Sequence, residues 1–404
     1  MNESMNNSER INNESPFEKL TELPSFEQRQ EGAGTLTKEA VEQMPLEERF
    51  DISPKEYPIF SKQSGNRPDV ATGKYVNRTL SINETLGEMV GATAATIATI
   101  TGEKSGEPMD HVIYLDKSAR PVSWLVDDFW EDFTDKPEPS KSFLAIDRRI
   151  WLTRMGFELE GNEYIKDENG DSHVASPRDV SEELFNKTIS REMLARIRAL
   201  YIPGGIDSEE PDKIFNTPTV LDGKNILIID EVSRSGSTLH IAKLLLKGAI
   251  PDAKVSGRVF WHDHSTKTDS GETQMGSTPV WYPKDKNDWR GRGVKDINQA
   301  FYEQLYRDNP TPDNRARNYG SIVLGEPLIH PEDEPGQLSW RLRAEMRKMH
   351  EDYEKGRILP TMPNLRECPA KLISTMRGWG VEFTPEKRPH AYVSLIEKRN
   401  QPSK

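Results

Sequence analysis

The chain has 404 residues, long enough for two or three average domains or one domain with long additions. Only 34% of the residues are hydrophobic and the mean hydropathy is −0.75, so extended or disordered surface segments are expected. A net charge of −12 argues against a role in coating nucleic acid and against binding to anionic membranes.

Residues 1–75 are rich in Asn, Glu, Ser and Pro, and prolines at 16, 24, 45, 54, 58 and 68 break any long element. They read as a disordered or extended N-terminal arm with short helices near 36–50. The start lacks a basic-plus-apolar signal pattern, and no apolar stretch approaches transmembrane length. Ser81-Ile-Asn-Glu84 has the form of a capping box. Leu86, Met89, Val90, Ile97 and Ile100 then share one helical face, and the small residues from Gly91 to Thr96 predict close packing. Gly102 is the expected stop.

His111–Asp116 reads as a strand, followed by a loop carrying Lys117, Ser118 and Arg120 and then a helix over 122–130. Residues 142–148 read as another strand that ends in charge, Asp147-Arg148-Arg149; these either line a site or cap the strand. Residues 156–176 predict a hairpin with Asn169-Gly170 at its turn, and 177–201 a helix. Gly204-Gly205 and the acidic run 207–212 predict a loop.

The most informative stretch is Gly223–Ile250. The apolar run Ile226–Ile229 predicts a buried parallel strand. Asp230 and Glu231 follow at once, at the strand end where open α/β sheets bind ligands. Ser233, Arg234, Ser235, Gly236, Ser237 and Thr238 then form a small loop opening a helix. Gly236 lets the backbone approach an anion, and loop amides with a helix N-terminus favour phosphate. Two adjacent acids beside a phosphate cradle suit a phosphorylated sugar, whose hydroxyls the carboxylates accept, or Mg²⁺.

Beyond it, 254–261 predicts a strand leading to His262-Asp-His264, two histidines without an apparent third metal ligand. Residues 278–283 predict a further strand holding Trp281 and Tyr282, aromatic faces that either stack on a flat heterocycle or pack in the core. Asp288–Gly293 is a basic, glycine-rich loop, 296–307 a helix and 321–324 a short apolar segment. A Pro/acid linker over 325–335 leads into a charged helix, 336–356, with Trp340, Leu342, Met346 and Met349 as a narrow stripe. The tail carries Cys368, the single cysteine, which excludes an internal disulfide and a cysteine-based zinc site and suits a reducing cytoplasm.

At Ile226–Leu239 the chain resembles the type I phosphoribosyltransferase family, whose signature is an apolar strand, two adjacent acids, a few small residues and Thr/Ser-Gly-x-Thr/Ser opening a helix. Gly248-Ala249, read as a turn before the next strand, is similar too. The resemblance implies an α/β fold with a central, mostly parallel sheet flanked by helices, a lid or hood subdomain and extended termini. The expected division is an arm at 1–75, the α/β domain at 76–330 with a lid or hood insertion at 151–215, and a helical extension at 331–404.

The resemblance further implies that the chain binds phosphoribosyl diphosphate with Mg²⁺ and transfers its phosphoribosyl group to a base or amine. Asp230 and Glu231 would hold the ribose hydroxyls and indirectly the Mg²⁺, residues 233–238 the 5′-phosphate, and Lys117, Ser118 and Arg120 the diphosphate. Trp281 or Tyr282 would stack on the acceptor. Purine-salvage members often carry an Asp where this chain has Arg234, which leaves the acceptor open. A cytoplasmic enzyme, compatible with a homodimer and without nucleic-acid or membrane partners, is the expectation. The competing reading is a non-catalytic sensor of the same ligand on the same fold.

Overall fold

The computed structural model describes residues 37–44, 49–58, 60, 64–68, 75–79, 81–103, 106–116, 119–146, 148–160, 164–166, 169–206, 208, 210–233, 235–262, 266–267, 273–274, 321–323, 334–361 and 368–379. In chain order these hold α1 (Lys38–Gln43), a 3₁₀ turn (Pro54–Glu56), the hairpin β1 (Ser64–Pro68) and β2 (Tyr75–Thr79), α2 (Ile82–Ile100), β3 (His111–Asp116) and α3 (Arg120–Phe133). Next come β4 (Ser140–Ala145), α4 (Arg148–Arg154), β5 (Leu159–Glu160), β6 (Tyr164–Lys166), β7 (Ser172–Val174), α5 (Glu182–Thr188), α6 (Arg191–Ala199) and α7 (Pro211–Asn216). They are followed by β8 (Asn225–Ser233), α8 (Ser237–Ala249), β9 (Lys254–His262), β10 (Thr266–Lys267), β11 (Thr273–Gln274), β12 (Ser321–Val323), α9 (Glu334–Glu354) and α10 (Ala370–Gly378).

The central sheet has the order β12-β4-β3-β8-β9. Its β4, β3, β8 and β9 are mutually parallel, and β12 runs antiparallel along the β4 edge. Alternation along the strands divides the core in two. Val112, Tyr114, Phe143, Leu227 and Ile229 face a layer made by α2, α3, α9 and α10. Ile113, Leu115, Leu144, Ile226 and Ile228 face the layer of α4, α5, α6 and α8. Burial on both faces is why β3 and β8 read as continuous apolar runs rather than alternating ones. The described chain is α/β, a four-stranded parallel sheet flanked by helices, consistent with a Rossmann-like fold. Among the described residues no helix is long and apolar enough to cross a membrane.

Chain direction matters for the site. From β3 the chain crosses one way, through α3, to β4. From β8 it crosses the opposite way, through α8, to β9. Right-handed crossovers in opposite directions put their helices on opposite faces. Accordingly α3 packs in one core layer and α8 in the other. The carboxyl ends of β3 and β8 therefore border the topological switch point, where open α/β sheets leave a crevice.

Described parts of the two terminal regions pack into the core of the domain. Ile52, Tyr57 and Phe60 share one hydrophobic core with α2, α3 and the stripe Leu342, Met346 and Met349 of α9. Tyr57 donates to Asp352 Oδ2 at 2.6 Å, and Arg357 bridges Asp352 and Glu56, so a buried ionic network ties the 3₁₀ turn to α9. Phe129 stacks on Phe133 at 5.5 Å and meets Tyr353 at 5.4 Å, contacts worth about 0.5–1.5 kcal/mol each beyond their buried area. Residues 342–358 and 368–379 thus complete the layer over α3.

The interval expected as a lid is also partly core. The single helix expected over 177–201 is two, because Ser190 caps α6 by accepting from Met193 N–H while Ile189 is extended. Ile197 and Tyr201 enter the α8 layer. Arg198 holds Asp222 through both guanidinium ends and also donates to the carbonyls of Ile214, Thr217 and Ala249. The small sheet β5-β6-β7 lies outside the central one, with Ile165 and Ala175 reaching that same layer. Gly248 lies within the last turn of α8, not in a turn after it; a Cβ there would sit 2.9 Å from Leu194 Cδ1 of α6.

Candidate functional site

The crevice edge is built by β8. Its alternation carries Asp230 to the Ile226–Ile228 side and Glu231 to the Leu227–Ile229 side, just where the strand passes its pairing with β3. Both carboxylates are enclosed, with Asp230 8% exposed and Glu231 1% exposed. Burial pushes the Asp230 carboxyl up to about 7; the Glu231 N–H, 2.9 Å from Oδ1, and the charge of Arg148 pull it back only in part. A buried carboxylate with so little positive charge around it suits a ligand that brings cations or hydroxyl donors.

After β8 the backbone turns through Gly236, at φ 80° and ψ 0°, a left-handed conformation costly for a residue with a side chain. Gly236 is the residue before the first turn of α8 and brings no capping side chain. Ser235 and Ser237 hydroxyls lie 3.1 Å apart, with Ser237 fully buried and Thr238 half-buried beside it. Across the crevice α3 starts from Ala119, again without a side-chain cap. Serines 81, 181 and 190 do cap α2, α5 and α6; the short α7 and α10 lack such a cap too. Two helices thus begin at the switch point without side-chain caps on their first-turn N–H groups, fewer on α3, where Pro121 has no N–H; such termini favour anions.

Arg148 is the residue whose place the sequence left open between lining a site and capping a strand. It begins α4, at the same edge of the sheet. Its Nη1 donates to Ser237 Oγ at 3.3 Å, and its charge acts on Asp230. One guanidinium therefore links the phosphate-type loop to Asp230. The sequence signal was a charged cluster closing an apolar strand; that β4 and β8 flank the same strand supplied the rest.

Arg120 departs from its expected role. It is fully buried, with its guanidinium 4.0 Å from the Phe143 ring centroid in a cation–π contact. An arginine so enclosed offers no exposed fork to a diphosphate in the crevice. Lys117, Ser118, Arg234, Trp281 and Tyr282 lie outside the described residues, as do Asp263 and His264; the backbones of Ser233 and His262 pair at the ends of β8 and β9, their side chains outside the description. The structure therefore brings together Asp230, Glu231, Ser235, Gly236, Ser237 and Thr238, and adds Arg148. The chain matches no family model and no curated protein.

At the opposite edge of the sheet, His111 is wedged between Ser140 Oγ at 2.7 Å and Ser142 Oγ at 2.8 Å. Burial lowers its pKa to about 4, so it is a neutral, structural imidazole.

Proposed function

We propose that the chain binds phosphoribosyl diphosphate in the β3/β8 crevice and transfers the phosphoribosyl group to a base or amine, as its resemblance to type I phosphoribosyltransferases suggests. The observation that carries this reading is the two buried carboxylates that end β8 at the switch point, Asp230 on the α8 face and Glu231 on the α3 face, beside an α8 N-terminus that opens from left-handed Gly236. A phosphorylated pentose needs both halves: carboxylates to accept its hydroxyls, and N–H and O–H donors for its phosphate.

In this assignment Asp230 and Glu231 orient the ribose hydroxyls, while the amides and hydroxyls of Ser235, Ser237 and Thr238 hold the 5′-phosphate. Arg148 keeps Ser237 in place and lends positive charge to both halves. The diphosphate lies toward the β3 loop. Its anchors there are the first turn of α3 and the loop residues Lys117 and Ser118. The acceptor nitrogen attacks C1 and forms the new C–N bond as the C1–O bond to diphosphate breaks, and the acceptor loses a proton. The side chains act by fixing the sugar and neutralising the leaving group. The residues present fit Mg²⁺: a carboxyl held near pKa 7 by burial gains from a hard divalent cation close by, with Asp230 and Glu231 as its indirect holders. When bound, the ion supplies charge neutralisation at the diphosphate oxygens.

The test is incubation of the full chain with phosphoribosyl diphosphate, Mg²⁺ and a panel of purine, pyrimidine and amine acceptors, following diphosphate release. Acceptor-dependent release is expected, and its loss in Asp230→Ala/Glu231→Ala. Tight binding without release on any acceptor assigns the fold to sensing instead; Arg234, standing where purine enzymes often carry an acid, leaves the acceptor open.

A further inference from the structure

A second set of ligand-type side chains lies away from the crevice, where α9 packs on α3. Asp128 and Asp132 stand one turn apart on α3, and His350 and Glu354 one turn apart on α9. Residues four apart on a helix project side by side. Packing the two helices brings the pairs together across more than 200 residues of sequence. His350 Nε2 lies 2.6 Å from Asp132 Oδ2, and one donor atom from each of Asp132, His350 and Glu354 falls within 4.8 Å of the other two. The carboxylate of Asp128 also acts on the imidazole. Phe129 closes the inner side, its ring edge-on to His350 at 4.9 Å. The outer side is open: the His350 and Asp132 side chains are about a quarter exposed, and Glu354 is exposed.

We propose that Asp132, His350 and Glu354 form a divalent transition-metal site of the Zn²⁺ type that clamps α9 to α3. Imidazole and carboxylate bind Zn²⁺ at about 2.0–2.2 Å, which sets tetrahedral donor atoms about 3.3 Å apart. The observed spread of up to 4.8 Å closes by rotation of the exposed Glu354 side chain. The Asp132–His350 contact opens to the same spacing once the ion replaces the shared proton. Water takes the fourth position on the open side. One imidazole among carboxylates favours Zn²⁺ over Mg²⁺, which prefers an all-oxygen octahedron. The Phe129 floor and the Asp132–His350 hydrogen bond hold the donors in register. The ion would fix the C-terminal segment over α3, whose first turn lies at the crevice. This site stands independently of the phosphoribosyl reading.

The test uses the full chain, stripped with chelator and desalted, then titrated calorimetrically with ZnCl₂ and separately with MgCl₂. One Zn²⁺ per chain and no comparable Mg²⁺ binding at this site are expected, with a rise in Tm on Zn²⁺ addition. Glu354→Gln, at an exposed position, leaves folding intact and should weaken Zn²⁺ binding more than about tenfold and abolish the Tm rise. His350→Gln should do the same and remove the absorption bands of tetrahedral Co²⁺. Equal Zn²⁺ affinity in the wild type and Glu354→Gln would overturn the site, as would absence of Zn²⁺ binding up to about millimolar concentration.

Discussion

At the scale of single residues, Asp230 sets the chemistry of the crevice and carries a stability cost. Its folded pKa is raised to about 7, against an ordinary value of 3.8. The protonated form is therefore the one favoured by folding. Its contribution is complete below about pH 4 and is lost as pH rises through 7, a loss on the order of 4 kcal/mol. Asp230→Asn should remove that loss. In denaturant titrations of the free protein, the wild type should fall relative to the variant between pH 4 and pH 8. Asp127, raised by burial against the opposing charge of its ion-pair partner Lys141, contributes the same slope to both proteins and cancels in the difference. Parallel pH curves would show that Asp230 is not desolvated. The adjacent acids and the Ser-Gly-Ser run were legible in sequence because their neighbours along the chain define them. The enclosure of Arg120 was not, because its cover is Phe143 from another strand. Arg148 gained its role only when α4 and α8 were brought to the same edge.

At the scale of elements, local signals held wherever one segment's own chemistry decided the outcome. The capping box at Ser81 and Glu84 forms as expected and starts α2, and β3 spans the residues expected of it. The small residues from Gly91 to Thr96 are almost all buried, and a further close approach to α2 occurs at Gly87. There the segment after α9 crosses the helix, with Thr361 N–H donating to Gly87 O at 2.8 Å. A Cβ on Gly87 would lie 2.5 Å from the Leu359 carbonyl oxygen and 2.9 Å from Thr361 Oγ1. Glycine to alanine within a helix ordinarily stabilises by about 1 kcal/mol. Gly87→Ala should instead destabilise by about 1–3 kcal/mol, because backbone has to move. Gly378→Ala, where a Cβ meets nothing within 4 Å, is the control and should leave Tm unchanged or higher. A stabilised Gly87→Ala would mean that residues 359–361 do not lie on α2. What sequence could not supply was this long-range pairing: a charged helix with a narrow stripe reads as an extension until its partners Tyr57, Phe60 and Phe129 are known.

At the scale of the molecule, the order β12-β4-β3-β8-β9 gives the motif its meaning. An apolar strand ending in two acids occurs anywhere that charge caps a strand. Here the strand borders the point where crossovers reverse direction, two uncapped helix N-termini face the same edge, and a guanidinium from a third helix joins loop to acid. Parallel sheet and flanking helices were expected from the runs at 111–116 and 226–229, whereas the strand order and the packing of residues 52–60 and 342–376 into one core depend on contacts hundreds of residues apart. The most direct measurement is calorimetric titration of the full chain with phosphoribosyl diphosphate and Mg²⁺, for the wild type and for Asp230→Asn/Glu231→Gln. One molecule should bind per wild-type chain, and the variant should bind at least about a hundredfold more weakly, the loss expected when charge-assisted hydrogen bonds to the ribose are removed. Equal binding by both proteins, or none by the wild type, would contradict this assignment of the crevice.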